Sequence, residues 1–261
     1  MPEWIQELVK YRELLYMLTW REIRIRYKQS VMGLMWALLM PLIITLAGVL
    51  IRVAGARLSG QPVTGADVGA IGVKSLPWAF FVSSLKFATT SLTGNSSLVT
   101  KIKFPRLVCP LSSVLTSLAD FAVALPLVVI LLPFAGVRPS LEASWALPLL
   151  TILVVFTAGV SILLSAANLF FRDVKYLVEV ALTFGIFFTP VLYDVDMVGR
   201  WRDLVMLNPV APLLEGISQA VILGRQPDLA WVGYSAAMAL LFFWGGIAFF
   251  RRLEPRFAES I

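Results

Sequence analysis

Three basic side chains with the chemistry to bind phosphate stand directly before a long apolar run. Arg24, Arg26 and Lys28 are followed by the uncharged run 31–51. Guanidinium and ammonium groups make charge-assisted hydrogen bonds to phosphate oxygens. Beside an apolar run, they also stand where anionic lipid headgroups lie. Two interpretations are open: a phosphate-binding site, or ordinary basic anchoring on the inner side of a membrane.

This sequence lacks the side chain that enzymes most often use for acid–base catalysis. It has no histidine and one cysteine, Cys109, which excludes histidine-based acid–base chemistry and a disulfide bond within the chain. No G-x-x-x-x-G-K-[ST] loop is present to hold a nucleotide. Asp194-Val195-Asp196 matches the D-x-D motif of sugar transferases, but so short an acidic pattern is commonplace in loops. We predict no catalytic residue, no metal site and no cofactor in this chain.

Three carboxylates fall within or beside apolar segments, namely Asp120, Glu179 and Glu215. Ionisable groups at membrane depth are costly, so each is a candidate for function. Contacts between helices are the alternative, and Glu179 follows Lys175 by four residues, the spacing of a helical ion pair. A proton-coupled carrier would need more such groups along one path.

The composition indicates a membrane protein. The chain is 59% hydrophobic and 15% charged, with a mean hydropathy of +0.83. Soluble domains carry roughly 25% charged residues. The net charge of +6 then belongs at lipid headgroups, and no basic face on a soluble module suggests nucleic acid.

Six apolar segments are predicted to span the membrane. The first has 21 uncharged residues, 31–51, and as a helix it would reach about 30 Å, the thickness of the hydrocarbon core. It begins too far along the chain for a signal peptide. The predicted spans are about 31–52, 68–92, 109–136, 145–171, 176–193 and 229–250. Residues 194–224 contain Asn208-Pro209 and are predicted to form short outer-side helices.

The expected fold is therefore an all-α membrane protein with two regions, 1–30 and 31–261. Lys and Arg concentrate in the loops on the side that holds the N-terminus, which predicts both termini in the cytoplasm. The pattern of residues 1–30 predicts an amphipathic helix lying in the inner interface, although 23–28 alternate with period two.

Two further segments have a functional and a plain interpretation. Residues 95–106, NSSLVTKIKFPR, form either a short helix that docks a soluble partner or an ordinary basic loop. Two interpretations are open for several aromatic side chains. They line a conduit, where rings stack on sugars, or they face lipid. The conduit candidates are Trp78, Phe80, Phe81 and Tyr193.

Several short motifs, in order and spacing, resemble the permease subunit of type-2 ABC exporters, which export O-antigen, capsule and teichoic acid. In the N-terminal part these are Leu14-Leu15, Trp20-Arg21-Glu22, Arg26-Tyr27-Lys28-Gln29-Ser30, Gly33, Trp36 and Pro41-Leu42. Later matches are Leu76-Pro77-Trp78 with Phe80-Phe81, Asn95 through Phe104-Pro105-Arg106, Phe171-Arg172-Asp173-Val174, Thr189-Pro190-Val191 with Tyr193, and Leu207-Asn208-Pro209. The run Gly72-Val73-Lys74-Ser75 departs from the more apolar sequence expected there.

The resemblance implies a homodimer in the bacterial inner membrane, docked on a separate ATP-binding cassette subunit that uses ATP and Mg²⁺. It implies a coupling helix within 95–106 and a second contact at the next inner loop. The coupling residues would be Asn95, Leu98, Val99, Lys101, Ile102, Phe104, Pro105, Arg106, Arg172 and Asp173. Segment 194–224 would close the exit. A lipid-pyrophosphate-linked glycan would be loaded from the inner leaflet beside Arg24, Arg26 and Lys28.

Other functions are open at this point. A permease for drugs or small lipids belongs to the same superfamily, and a secondary carrier would work without an ATPase. An enzyme that modifies glycans or lipids within the membrane would need a catalytic constellation, which the missing histidine and scattered carboxylates disfavour.

Overall fold

The structure, a computed structural model, describes residues 3–28, 32–33, 35–60, 62–102, 104–138 and 140–257. Within these ranges the regular structure is helical and no strand occurs, which confirms the all-α membrane fold. The predicted boundary between residues 30 and 31 lies outside them. The α-helices are α1 (Glu3–Lys10), α2 (Arg12–Lys28), α3 (Met35–Ser59), α4 (Gly65–Thr89), α5 (Ser91–Gly94), α6 (Ser96–Lys101), α7 (Val108–Leu131), α8 (Ala146–Phe170), α9 (Val174–Gly185), α10 (Arg202–Met206), α11 (Ala211–Ile222) and α12 (Leu229–Leu253).

Five helices in the described part of the chain are long and apolar enough to cross a membrane: α3, α4, α7, α8 and α12. They correspond to the first four predicted spans and the last. Each has 24 or 25 residues, which as an α-helix reaches about 36 Å. The apolar run length therefore predicted these helices well.

The predicted span 176–193 is not one continuous helix. Helix α9 ends at Gly185, a 3₁₀ turn covers Ile186–Phe188, and irregular backbone follows. The 15 residues from Val174 to Phe188 reach only about 22 Å even if counted as α-helix. A count of six continuous spans is therefore not confirmed.

The chain between α8 and α12 nevertheless returns from one end of the bundle to the other. Near their C-terminal ends, the rings of Phe170 and Phe257 lie 5.8 Å apart. Near their N-terminal ends, Gly216 lies close both to Leu149, in the first turn of α8, and to Pro227, which stands just before α12. Because α8 and α12 run in the same direction, residues 171–228 must make the return, through α9 and the short helices that follow. Short helices do occur within the predicted segment 194–224.

Helices α4 and α7 form the antiparallel centre of the bundle. The hydroxyls of Ser83 and Ser117 lie 3.1 Å apart, and the rings of Phe80 and Phe121 lie 6.0 Å apart. The main core gathers around these helices and α8, with Phe81 stacked on Phe156 at 6.2 Å.

Helices α8 and α12 approach so closely that glycine is required on both. A Cβ atom on Gly159 would lie 2.5 Å from the backbone nitrogen of Phe243. A Cβ atom on Gly246 would lie 2.5 Å from the carbonyl oxygen of Gly159. Small residues permit backbone contact of this kind between membrane helices. This pair therefore fixes the distance between the two helices.

The N-terminal region is helical through its period-two stretch and packs on the bundle. The backbone hydrogen bonds continue past Tyr11, which joins α1 to α2. Along α2, Glu22 meets Ser112 and Arg26 meets Asp120, so α2 runs parallel to the first half of α7. One face of α2 is therefore bonded to a spanning helix, and the location of residues 1–30 in the inner interface stays a prediction.

Candidate functional site

Arg26, predicted to meet a substrate headgroup, points instead into the protein. Its guanidinium is ion-paired with Asp120 and lies 4.0 Å from the ring centroid of Phe87. Asp120 also accepts a hydrogen bond from Tyr27, and the two charged side chains are less than a fifth exposed. In this conformation Arg26 is paired within the protein and gives Asp120 a structural partner, and the predicted role of Arg26 in substrate entry stays a prediction.

Arg24 and Lys28 lie on the opposite, exposed face of α2. The guanidinium of Arg24 lies 5.3 Å from the ring of Trp20. A groove of about 400 Å³ on this face is lined by Tyr16, Met17, Trp20, Arg21, Arg24, Ile25 and Lys28. Cationic groups beside aromatic and aliphatic side chains suit an amphiphile with an anionic head.

Glu22 fastens the inner face of α2 with polar contacts. Its carboxylate accepts hydrogen bonds from Ser112 at 3.0 Å and from Thr116 at 3.3 Å. Burial raises the pKa of the Glu22 carboxyl, and these hydroxyl groups, with the nearby Arg26 charge, oppose that rise. Glu22 stood only within the motif Trp20-Arg21-Glu22 and had no predicted role of its own, since a glutamate beside basic residues resembles an ordinary exposed helix face.

The predicted coupling segment has an inner and an outer face. Val99 and Phe104 are buried, Asn95, Leu98 and Pro105 are half-buried, and Lys101 and Ile102 are exposed. Asn95 accepts a hydrogen bond from Arg21 and donates one to the carbonyl oxygen of Ser91 at 2.8 Å, which ties this segment to α2. Two predicted coupling residues of this segment are exposed to solvent, Lys101 at the end of α6 and Ile102 directly after it.

Arg106 lies on the inner face. Its guanidinium donates to the carbonyl oxygens of Glu254 and Val99, and it lies 5.7 Å from the ring of Phe257. These contacts join the coupling segment to the end of α12. Arg106 is therefore a structural link in this conformation, and its predicted part in coupling stays a prediction.

The two predicted coupling segments lie next to each other. Arg172 and Asp173 are exposed in the loop between α8 and α9, and Asn168 fixes that loop by accepting the backbone N–H of Lys175 at 3.1 Å. A polar cavity of about 340 Å³ opens between this loop and α6. It is lined by Thr90, Thr93, Ser96, Asn168, Leu169, Arg172 and Lys175. The fold thus brings together residues that are more than 70 positions apart in the chain.

Most of the predicted conduit aromatics belong to the core. Trp78, Phe80 and Phe81 are 4%, 4% and 9% exposed, so in this conformation they do not line an open path. Their apolar rings fill the space between α4, α7 and α8. Tyr193 is half-buried, and its hydroxyl donates to the carbonyl oxygen of Phe187 at 3.2 Å.

An exposed aromatic face lies instead on α9 and the turn after it. Its members are Tyr176, Phe184, Phe187 and Phe188, which are 57–72% exposed. Glu179 on the same helix pairs with Lys86 at 3.0 Å, rather than with Lys175 as the spacing suggested. The sequence carried a signal for this face, because Tyr176, Val180, Phe184 and Phe188 recur every four residues.

The remaining membrane-depth carboxylate, Glu215, lies near a buried lysine. Its Oε2 atom is 3.6 Å from Nζ of Lys74, and Asp194 also reaches that nitrogen. Lys74 belongs to the short run that departs from the expected motif. Its partners come from segments that no sequence pattern connects with it.

Comparisons with known proteins agree with this architecture. The family described as ABC-2 type transporter matches residues 13–222. Two O-antigen export system permease proteins RfbA of Klebsiella pneumoniae are 31% and 30% identical over 257 residues, covering 95% of this chain and of each relative. One of Myxococcus xanthus is 31% identical over 262 residues, covering 98% of both chains. The chain is a multi-pass membrane protein of the ABC-2 type transporter family.

Proposed function

We propose that the chain is the permease subunit of an ATP-driven exporter that moves a lipid-linked polysaccharide of O-antigen type across the bacterial inner membrane. The observation that carries the proposal is similarity over almost the whole chain to permeases named for O-antigen export. The family implies that a separate subunit binds ATP. Both termini then lie in the cytoplasm, and the predicted coupling segments face the ATPase.

The conduit is proposed to form between two copies of the chain. The α9 face combines exposed aromatic rings with Glu179, Lys86 and Thr183, a mixture poorly suited to lipid. Aromatic rings stack on the apolar faces of sugars, while charged and hydroxyl groups tolerate water. Only 11% of the residues in the most apolar stretch of α3 are buried, so the exposed face of this helix can contact a second copy or lipid.

In the direct test, the gene is deleted in the native cells and the location of the lipid-linked glycan is measured. We expect a lipid-linked polysaccharide to build up on the cytoplasmic side and to clear when the gene is restored. Purification in mild detergent should also yield a subunit with a phosphate-binding loop. No accumulated glycan, with a drug or small lipid retained instead, would favour the related permease function. A chain that never associates with an ATPase would favour a secondary carrier.

The exposed basic pair on α2 is expected to take part in loading. Replacing Arg24 and Lys28 together by glutamine should lower export roughly tenfold, because charge-assisted contacts to phosphate are lost. The measurement is the rate at which surface polysaccharide appears after a pulse of labelled sugar. Lys10→Gln with Arg12→Gln is the control, since it removes the same charge from exposed positions outside the groove. Equal export by both double variants would exclude the loading role.

The exposed tip of the coupling segment is expected to hold the ATPase. Ile102 is 57% exposed, and Ile102→Asp should weaken retention of the ATPase by roughly tenfold or more, as for a central interface contact. Retention is measured by copurification at matched amounts of permease. Leu141→Asp is the control, because Leu141 is 90% exposed and precedes the N-terminal end of α8. Loss of the ATPase from the control alone would contradict the assignment of the docking face.

A further inference from the structure

Lys74 is a fully buried cation in a spanning helix. It lies nine positions after the start of α4, which places it about 14 Å along that helix. Its side chain is 0% exposed. A buried ammonium needs acceptors and negative charge around it, since its desolvation would otherwise be strongly unfavourable. The groups that supply them are therefore central to how this part of the chain is held.

Among the described residues, the hydrogen-bond and ion-pair partners of Lys74 lie in the return segment after α9, residues 186–228. Its Nζ atom donates to the carbonyl oxygen of Tyr193 at 2.8 Å and to Asp194 at 3.2 Å. Glu215 on α11 lies 3.6 Å away, and its carboxylate also meets Gln219 at 3.5 Å. Lys74 thus joins α4 to two separate pieces of the return segment.

Other side chains in this region bind irregular backbone as well. Asn208 donates to the hydroxyl of Thr189 at 2.8 Å and lies 3.5 Å from the carbonyl oxygen of Phe188. Irregular backbone at membrane depth is tolerated where protein groups or a water-filled cavity satisfy it. The segment is therefore held both by apolar packing, which includes Val191 and Leu192 in the main core, and by polar contacts, which can be exchanged for water.

The charges also make separation of α4 from this segment less costly. In the closed arrangement the Lys74 ammonium is paired with the carboxylates of Asp194 and Glu215. In an opened, hydrated arrangement, water solvates the ammonium and both carboxylates. Apolar side chains at the same positions would be stable when packed, but they would resist wetting. A paired cluster of this kind favours two discrete states, one with the return segment packed on α4 and one with the two separated.

We propose that Lys74, Asp194 and Glu215 are positioning residues of the transport path: paired, they hold the return segment against α4 as a closed wall, and they separate when the path opens. The structure supplies the closed arrangement. The proposal deepens the proposed function, and its export readout rests on that function.

The test is thiol accessibility in the return segment. Cys109 is the chain's single cysteine, so Cys109→Ser with Val191→Cys introduces one reporter at a fully buried site. With Lys74 present, a membrane-impermeant maleimide added to the outer side of cells should react slowly. With Lys74→Met, the two carboxylates lose their cation and draw in water, so labelling should rise about tenfold. Lys74→Arg should restore protection, which a role in packing volume alone would not require.

A charge-free variant tests the opening step and guards against misfolding. Lys74→Met combined with Asp194→Asn and Glu215→Gln leaves no unpaired charge, so it should fold, resist labelling and export about tenfold less. Lys86→Met is the control for labelling alone, because it removes a lysine from the same helix whose pair with Glu179 is more than half exposed.

Unchanged labelling with Lys74→Met, in protein that elutes as wild type, would overturn the closing role. Normal export by the charge-free variant would overturn the opening role. Labelling is read without reference to the cargo, so its result stands even if no glycan accumulates in cells lacking the protein. Failure of the proposed function and failure of this inference are therefore distinguishable.

Discussion

Asp120→Asn is expected to release α2 from the bundle. The substitution keeps an oxygen for Tyr27 but leaves Arg26 without its counter-ion at a site less than a fifth exposed. Removing one partner of a fully buried ion pair costs about 3–5 kcal/mol, and this partly buried pair should lose less than that. Because α2 also carries the groove with Arg24 and Lys28, export should fall with the loss of its attachment. The measurement is cleavage by trypsin at the basic residues of α2 in inside-out vesicles.

A double substitution tests whether the ion pair itself is responsible. Replacing the whole pair with Arg26→Met and Asp120→Leu removes both charges, and apolar replacements for buried pairs are often neutral or stabilising. We expect this double variant to regain resistance to trypsin. Glu179→Gln is the control, since its pair with Lys86 is exposed and should contribute about 1 kcal/mol or less. Wild-type resistance of Asp120→Asn would show that the pair does not attach α2.

Gly246→Ala is expected to force α8 and α12 apart. The added methyl group would lie 2.5 Å from the carbonyl oxygen of Gly159. That oxygen is a backbone atom, so it cannot move aside as the end of a flexible side chain could. Overpacking of this kind costs about 1–3 kcal/mol, and the backbone contact places the expected loss near the upper end. The measurement is the midpoint of thermal unfolding in detergent, read from monodisperse protein.

The neighbouring glycine is a matched control for that experiment. Gly245 lies one residue away on the same helix, and a Cβ atom there meets nothing within 4 Å. Gly245→Ala should be neutral or slightly stabilising, because alanine is the better helix former. Equal destabilisation by both substitutions would indicate a general effect of helix α12 rather than the close contact with Gly159.

Run length and charge placement predicted most of the helical architecture. Uncharged or nearly uncharged stretches became α3, α4, α7, α8 and α12, because a helix satisfies its own backbone inside the membrane whatever its neighbours are. The broken return was harder to predict. Residues 176–193 are apolar on average, but Gly185 and Pro190 fall where the regular helix has ended.

The sequence indicates which segments are candidates for loading and coupling, and these roles stay predictions. The segments around 24–28, 95–106 and 172–173 are recognisable in the sequence because basic and capping residues lie beside apolar runs. Which side chains face outward was not visible there. Arg26 and Arg106 turned inward because Asp120 and the carbonyl of Glu254 lie within reach of their guanidinium groups.

The sequence by itself determined that this chain is a helical membrane protein, where most of its spans lie and which family it belongs to. The tertiary structure decided which charges are paired, which aromatic rings are buried and which glycines bring helices into contact. Hydropathy adds up along a segment, so it can be read locally. The partners of Arg26, Lys74 and Trp78 are distant in the chain, and only packing brings them within the few ångströms over which hydrogen bonds and dispersion act.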